Sequence, residues 1–348
     1  MKKSSNTNQR IPRVAIIGLF QGGKSLLVNA ALGGCYVPVG KHGLRTTPCR
    51  IRCRHGELNR AVVNRVDGGM KGLSIRALSR FVESTAIEEN ISSIDLFLSH
   101  PLLQEIELLD TPGIDYSEQD NQVALSAARD ADAVVIVIQQ SLPSASSSFK
   151  NLTDCLQGKP WGMVLNCGRA GPHLEYPDSQ ACREVEENGL RQLLESGLHE
   201  PVFSQRMSAR TLSYYASEQF EPDKTINISE EHKEDLDADE ESIRQWRGNL
   251  SVLGTKWMDV QLSKVRLRII QFLRDQQWSN PQLAFDLAMQ SFTCQIHIEG
   301  VDFEIHGNFY VESMTNYDHL VLHNFQCKDA WVVDWVNAQK NWHYWKIE

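Results

Sequence analysis

Residues 13–25, RVAIIGLFQGGKS, constrain this chain more than any other stretch. An apolar run reads as a buried strand, and Gly18, four intervening residues and Gly23-Lys24-Ser25 follow it. Leu26, Leu27, Ala30 and Ala31 then recur at helical spacing, which predicts a helix over about 24–32. A strand entering and a helix leaving a G-x-x-x-x-G-K-S loop is the context in which that spacing grips phosphate. Glycines let backbone N–H groups turn inward, and the helix N-terminus adds partial positive charge. Lys24 can bridge two phosphates and the Ser25 hydroxyl can ligate Mg²⁺. Gly18, Gln21, Gly22, Gly23, Lys24, Ser25 and Leu26 are the nucleotide contacts expected here.

The next residues of that chemistry stand at Asp110-Thr111-Pro112-Gly113, directly after the apolar EIELL. A carboxylate at that strand end lies across from Ser25, and the Gly113 N–H can touch a terminal phosphate. Thr46-Thr47-Pro48, within GKHGLRTTP, supplies a hydroxyl for the metal, with Thr47 preferred and Thr46 the alternate. The expected metal ligands are thus Ser25, Thr47 and Asp110, and the expected catalytic groups Lys24, Thr47 and Gly113. Ser208-Ala209 at a later strand end is a turn whose backbone can reach a base.

Between and beyond these motifs, strands alternate with helices. Strands are predicted at 94–98, 105–109, 133–138, 161–166 and 201–208, and helices near 119–130, 146–157 and 179–196. This alternation, over residues 11–217, predicts an α/β fold of the P-loop kind, a mainly parallel sheet flanked by helices. Arg50, Arg52 and Arg54 alternate with Ile51 and Cys53, as on a half-exposed strand; a solvated face is expected, with a phosphate- or lipid-binding stripe as the alternative. Cys49 and Cys53 lack a second ligand pair, so packed thiols are favoured over a zinc site.

The net charge of −9 is concentrated. Residues 218–242 hold eleven acids and two lysines, and the remainder is neutral. That balance gives no general attraction to nucleic acid, and the acidic stretch reads as a solvated linker. Ile243, Trp246, Leu250, Leu253, Trp257 and Val260 then make a helical stripe, so 243–280 is expected to be a helical segment packing on the preceding domain or on a partner. Asn280-Pro281 is taken as punctuation. Residues 291–326 alternate like strands, with turn signals at Glu299-Gly300, Gly307-Asn308 and Thr315-Asn316. A small antiparallel β region over 291–348 is expected, available to a protein partner together with the helix. Residues 1–10 read as a loose tail without a signal-peptide pattern, and no apolar run reaches spanning length, so a cytoplasmic chain, at most peripheral at a membrane, is expected.

IIGLFQGGKSLLVNAALG (16–33), VPVGKHGLRTTPCRIRCRHG (37–56), HPLLQEIELLDTPGID (100–115) and DADAVVIVI (130–138) together resemble the GTPase (G) domain of dynamin-like proteins, the bacterial ones in particular. Phe20 stands where the bacterial proteins commonly have a Phe. The resemblance implies GTP and GDP as ligands, Mg²⁺ as cofactor, and GTP hydrolysis stimulated when two G domains meet as a homodimer. It also suggests work at membranes, although little more than 100 residues follow the G domain and leave small room for a long stalk. The family's base-reading motif maps onto Asn166-Cys167-Gly168-Arg169. Asn166 is retained, Cys167 replaces the Lys that packs along the base, and Arg169 replaces the Asp that accepts from guanine. Arg169 cannot accept a hydrogen bond, but can stack on any base. GTP is the expected nucleotide, with ATP or mixed use as the alternative. Two rival functions stand beside a self-associating hydrolase. One is a GTP-binding switch that recruits an effector with little turnover; the other, disfavoured by the charge balance, is a ribosome-associated GTPase.

Overall fold

The computed structural model describes residues 10–39, 49–78, 91–139, 147–167, 180–207, 233–275, 279–286, 289–298, 301–313, 318–338 and 344–347. The chain divides into two compact units, one spanning Ile11–Trp257 and the other running from Met258 onward with Arg10.

The first unit is built on nine strands: β1 (Arg13–Gly18), β2 (Arg50–His55), β3 (Arg60–Arg65), β4 (Met70–Leu73), β5 (Ile91–Leu98), β6 (Glu107–Asp110), β7 (Ala133–Ile138), β8 (Trp161–Asn166) and β9 (Phe203–Met207). Their order is β4-β3-β5-β2-β6-β1-β7-β8-β9. From β6 to β9 every pairing is parallel. β2 runs antiparallel to β6 and parallel to β5, and β3 and β4 close the other edge as antiparallel strands. The sheet is therefore mainly parallel and mixed. The apolar runs of β1, β7 and β8 are buried on both faces, as parallel strands between helical layers must be.

The two-residue period of those strands sorts the core into two layers. Val14, Ile16, Val135, Val137 and Val164 face one side, where α1 (Lys24–Leu32) and α2 (Leu102–Glu105) pack. Ala15, Ile17, Val134, Ile136, Met163 and Leu165 face the other, under α3 (Glu118–Asp130), α4 (Ser147–Leu156) and α5 (Gln180–Glu195). Lys159 closes the C-terminus of α3 by donating to the carbonyls of Ala128, Arg129 and Ala131 at 2.6–2.9 Å.

Helix α6 runs without interruption from Lys233 to Asp275. The stretch read as an acidic linker is thus helical from Lys233 onward. The density of acidic residues there did not preclude a helix. Up to Trp257 this helix belongs to the first unit. Ile243, Trp246, Leu250 and Leu253 are buried in the same cluster as α1. The Trp246 indole donates to Leu27 O at 3.0 Å and Arg247 to Ala31 O at 2.7 Å, so α6 is fastened to the backbone of α1.

The arginine row on β2 is paired rather than simply solvated. Arg52 and Arg54 both reach the buried Glu107 carboxylate, at 2.7 and 2.9 Å, and Arg50 reaches Asp130 at 2.8 Å.

The second unit carries a five-stranded antiparallel sheet in sequence order: β10 (Ser279–Asp286), β11 (Ser291–Ile298), β12 (Val301–Ser313), β13 (Asp318–Gln326) and β14 (Tyr344–Ile347), with α7 (Ala330–Ala338). Two turn readings change. Pro281 lies within edge strand β10, where the register shifts between Ser279 and Gln282, a place that tolerates a missing N–H. Gly307 lies inside β12 at a second register shift, and a Cβ there would come within 2.5 Å of the Phe292 ring. It makes room for that ring instead of turning the chain. The turn signals at 299–300 and 315–316 lie outside the described residues. No described helix is long and apolar enough to cross a membrane.

Candidate nucleotide and metal site

The site forms at one end of the sheet, where β6, β1, β7 and β8 end in that order. Gly18 closes β1 opposite Val137, and the loop then tightens through Gly22 N–H donating to Leu19 O at 3.0 Å. Gln21 and Gly23 have φ of 59° and 86°, so the loop passes twice through the left-handed region, once with a non-glycine residue. The Gln21 carbonyl accepts from Gln139 Nε2 at 3.0 Å, and the Gly22 carbonyl accepts from Asn166 Nδ2 at 2.9 Å. With its carbonyls tied down, the loop leaves α1 to begin at Lys24 without a side-chain cap. Leu26 is half-buried on the first turn of α1 and packs against the core beneath it.

Lys24 is 6% exposed and donates its Nζ to Leu19 O at 2.9 Å. Burial lowers its pKa to about 8, opposed by the charges of Asp110 and Asp120. Ser25 Oγ donates to Asp110 Oδ2 at 2.7 Å, bringing together two groups that stand far apart in sequence. Burial raises the Asp110 carboxyl to about 6, against the Ser25 hydrogen bond, the Lys24 charge and the Thr111 backbone hydrogen bond. Its second oxygen, Oδ1, is buried without a hydrogen-bond partner. A buried, half-satisfied carboxylate beside a hydroxyl is a hard-oxygen donor set of the kind that suits Mg²⁺. A buried ammonium at an uncapped helix N-terminus suits phosphate. The residues present therefore fit both groups.

The turn after β6 is packed against the phosphate loop. Thr111 Oγ1 donates to Ile16 O at 2.8 Å, and Ile114 N–H donates to Gly18 O at 3.0 Å. A Cβ on Gly113 would come within 2.3 Å of Phe20 Cα, so glycine is what allows the two backbones to approach this closely. The rings of Phe20 and Tyr116 stack above this contact, 4.2 Å apart. Ser117 caps α3 by accepting from Asp120 N–H at 3.1 Å and donates its hydroxyl to the Asp120 carboxylate.

Of the residues expected from the sequence, Gly18, Gln21, Gly22, Gly23, Lys24, Ser25, Leu26, Asp110, Gly113 and Asn166 are brought to this one end of the sheet. Thr46, Thr47, Arg169, Ser208 and Ala209 lie outside the described residues. Asn166 clamps the loop from beneath, through Gly22. Cys167 is 2% exposed, and its thiol is packed against Cys182 of α5. Gln139, Asn29 and Asp120 were not picked out in the sequence. Asn29 holds the segment after α1 by accepting from Tyr36 and Val37 N–H and donating to Val37 O. Asp120 alone had a sequence signal, the Ser117-x-x-Asp120 spacing of a helix start.

Residues 14–160 match the model of the dynamin family. Dynamin-like protein 2 of Campylobacter jejuni is 30% identical over 122 residues, 35% of this chain and 20% of that protein. The bacterial dynamin-like protein of Nostoc punctiforme is 23% identical over 217 residues, 57% of this chain and 31% of that protein. The matched region thus spans less than a third of either relative. Among solved structures, an oligomerised bacterial dynamin pair described as sensing and tethering membranes at long range aligns with a TM-score of 0.44 at 18% identity, covering 76% of this chain and 38% of that one. Residues 14–160 of this chain are therefore similar to the dynamin family, and the relatives they resemble are bacterial dynamin-like proteins.

Proposed function

We propose that the chain is a Mg²⁺-dependent GTPase that converts GTP to GDP and phosphate, with slow basal turnover raised when two G domains associate. The observation that carries this reading is the grouping of buried Lys24 and Asp110 with half-buried Ser25, with Asp110 Oδ1 unpartnered. Lys24 is the cation available to the terminal phosphates, and the first turn of α1 offers them N–H groups. Ser25 and Asp110, with Thr47, would hold Mg²⁺, which when bound neutralises charge on the phosphate oxygens. Gly113 N–H, on a turn in backbone contact with the loop, is the group proposed to register a terminal phosphate. Catalysis by such a site is positioning and charge stabilisation around attack by water. Self-association and peripheral membrane contact are proposed from the dynamin-family match alone.

The buried Cys167 favours a second reading of base choice. A site that offers no side chain at that position, with Arg in place of the acceptor at 169, discriminates guanine from adenine weakly. Titration of fluorescent GTP, ATP, GDP and ADP, each with and without Mg²⁺, tests both readings. The proposal expects Mg²⁺-dependent triphosphate binding that Lys24→Ala abolishes. Binding unaffected by Lys24→Ala removes the loop from the mechanism, and equal affinity for GTP and ATP selects the relaxed reading.

A further inference from the structure

Cys167 and Cys182 lie where the fold could have placed a base-reading side chain and a helix start. Cys167 follows β8 directly. Its backbone N–H continues the pairing with β9 through Met207 O at 2.8 Å, and its neighbour Asn166 holds the Gly22 carbonyl of the phosphate loop. Cys182 is fully buried in the first turn of α5. The Cys182 thiol donates to Cys167 Sγ across 3.1 Å, so bonding requires a closure of about 1 Å to the roughly 2.05 Å of a disulfide. Residues 168–181, which include Arg169, are all that separates the two in sequence.

We propose that Cys167 and Cys182 form a reversible disulfide, a redox modification site that weakens nucleotide binding by pulling on Asn166, the neighbour of Cys167 that holds the phosphate loop. The regulatory half rests on the nucleotide-binding reading above; the bond itself does not. The oxidant is hydrogen peroxide. The Cys167 thiolate attacks one peroxide oxygen, the O–O bond breaks, and a sulfenic acid forms as the leaving oxygen takes a proton and departs as water. Cys182 sulfur then attacks the sulfenic sulfur. The S–S bond forms, the S–O bond breaks and a second water leaves, so two thiols lose two electrons to one peroxide. Burial, and then Cys182, push the Cys167 thiol up and slow the first step; the Arg206 charge on β9 acts in its favour, but Arg206 is paired with Glu186, which acts against it. The resulting bond draws Cys167 toward α5 and loosens the Asn166 contact with Gly22.

The test treats the full chain with hydrogen peroxide, blocks remaining thiols and maps disulfides by non-reducing peptide mass spectrometry. Fluorescent GTP affinity is then measured before oxidation, after it, and after dithiothreitol. The expected result is a Cys167–Cys182 linked peptide 2 Da below the reduced pair, with affinity lowered about fivefold, the worth of one hydrogen bond, and restored on reduction. Cys182→Ala is expected to bind like the reduced chain and to lose the response, while Cys155→Ser, altering a half-buried cysteine elsewhere, keeps it. No linked peptide, or bonds through other cysteines only, overturns the proposal. A mapped bond with unchanged affinity overturns its regulatory half. A reduced chain that binds no nucleotide instead refutes the GTPase reading, and the mapped bond still decides the modification site.

Discussion

The Asp110 carboxylate is held in a place that costs stability, and Asp110→Asn should reveal how much. Burial raises its pKa from 3.8 to about 6, so the fold prefers the protonated acid. A carboxyl with a folded pKa above its unfolded value contributes stability below about pH 4, and this is lost as pH rises through 6. The loss over that window is on the order of 3 kcal/mol. Asn keeps an oxygen for Ser25 and carries no charge, but its buried NH₂ needs a partner, at a cost of about 1 kcal/mol. The chain without nucleotide, in EDTA at pH 7.5, should therefore gain about 2 kcal/mol, or roughly 4–8 °C in Tm for a unit of this size. At pH 5 the wild-type carboxyl is mostly protonated in the fold, and about two thirds of the advantage should disappear. Thermal unfolding of both proteins at the two pH values reads the effect directly. The same substitution should remove the Mg²⁺ dependence of nucleotide binding, a trade of stability against function. A variant no more stable than wild type at pH 7.5, or an advantage unchanged at pH 5, refutes the reasoning.

Three further outcomes follow from the geometry. Lys24 has a pKa of about 8 that a bound polyanion raises, so nucleotide Kd should climb by up to about tenfold per pH unit above pH 8; a flat titration from pH 7 to 9.5 contradicts this. Gly113→Ala places a Cβ 2.3 Å from Phe20 Cα and must shift the loop backbone, so kcat/KM should fall about a hundredfold with circular dichroism unchanged. Trp246→Ala removes a fully buried ring and its hydrogen bond to Leu27 O, and should cost about 3–5 kcal/mol in urea unfolding, with Trp246→Phe intermediate.

What was legible in the sequence was what covalent spacing or burial on both faces dictates. β1, β7 and β8 announce themselves as short apolar runs because helices cover each face of the sheet. Gly18 to Ser25 and Asp110 stood out by residue type and spacing, and the fold brings them to one end of the sheet. β3 and β4 went unseen: they extend an edge, and β4 (MKGL) buries no side chain fully, so no alternation marks it. The helix from Lys233 was hidden because charge density was read as solvation. The contacts that shape the loop were beyond any local pattern. Gln139 reaches Gln21 across 118 residues, Asn166 reaches Gly22 across 144, and Trp246 reaches Leu27 across 219. Such pairs exist only once the sheet has brought β1, β7 and β8 together and α6 has returned to α1.

The hydrogen bond from Lys24 to the carbonyl of Leu19 has a consequence for association with nucleotide. The ammonium shed most of its water when the chain folded, and the loop's own oxygen keeps the place of a guest. On the nucleotide-binding reading, an arriving phosphate would swap one acceptor for another instead of stripping a hydration shell, so the cost of drying that cation would be met by folding before the encounter begins.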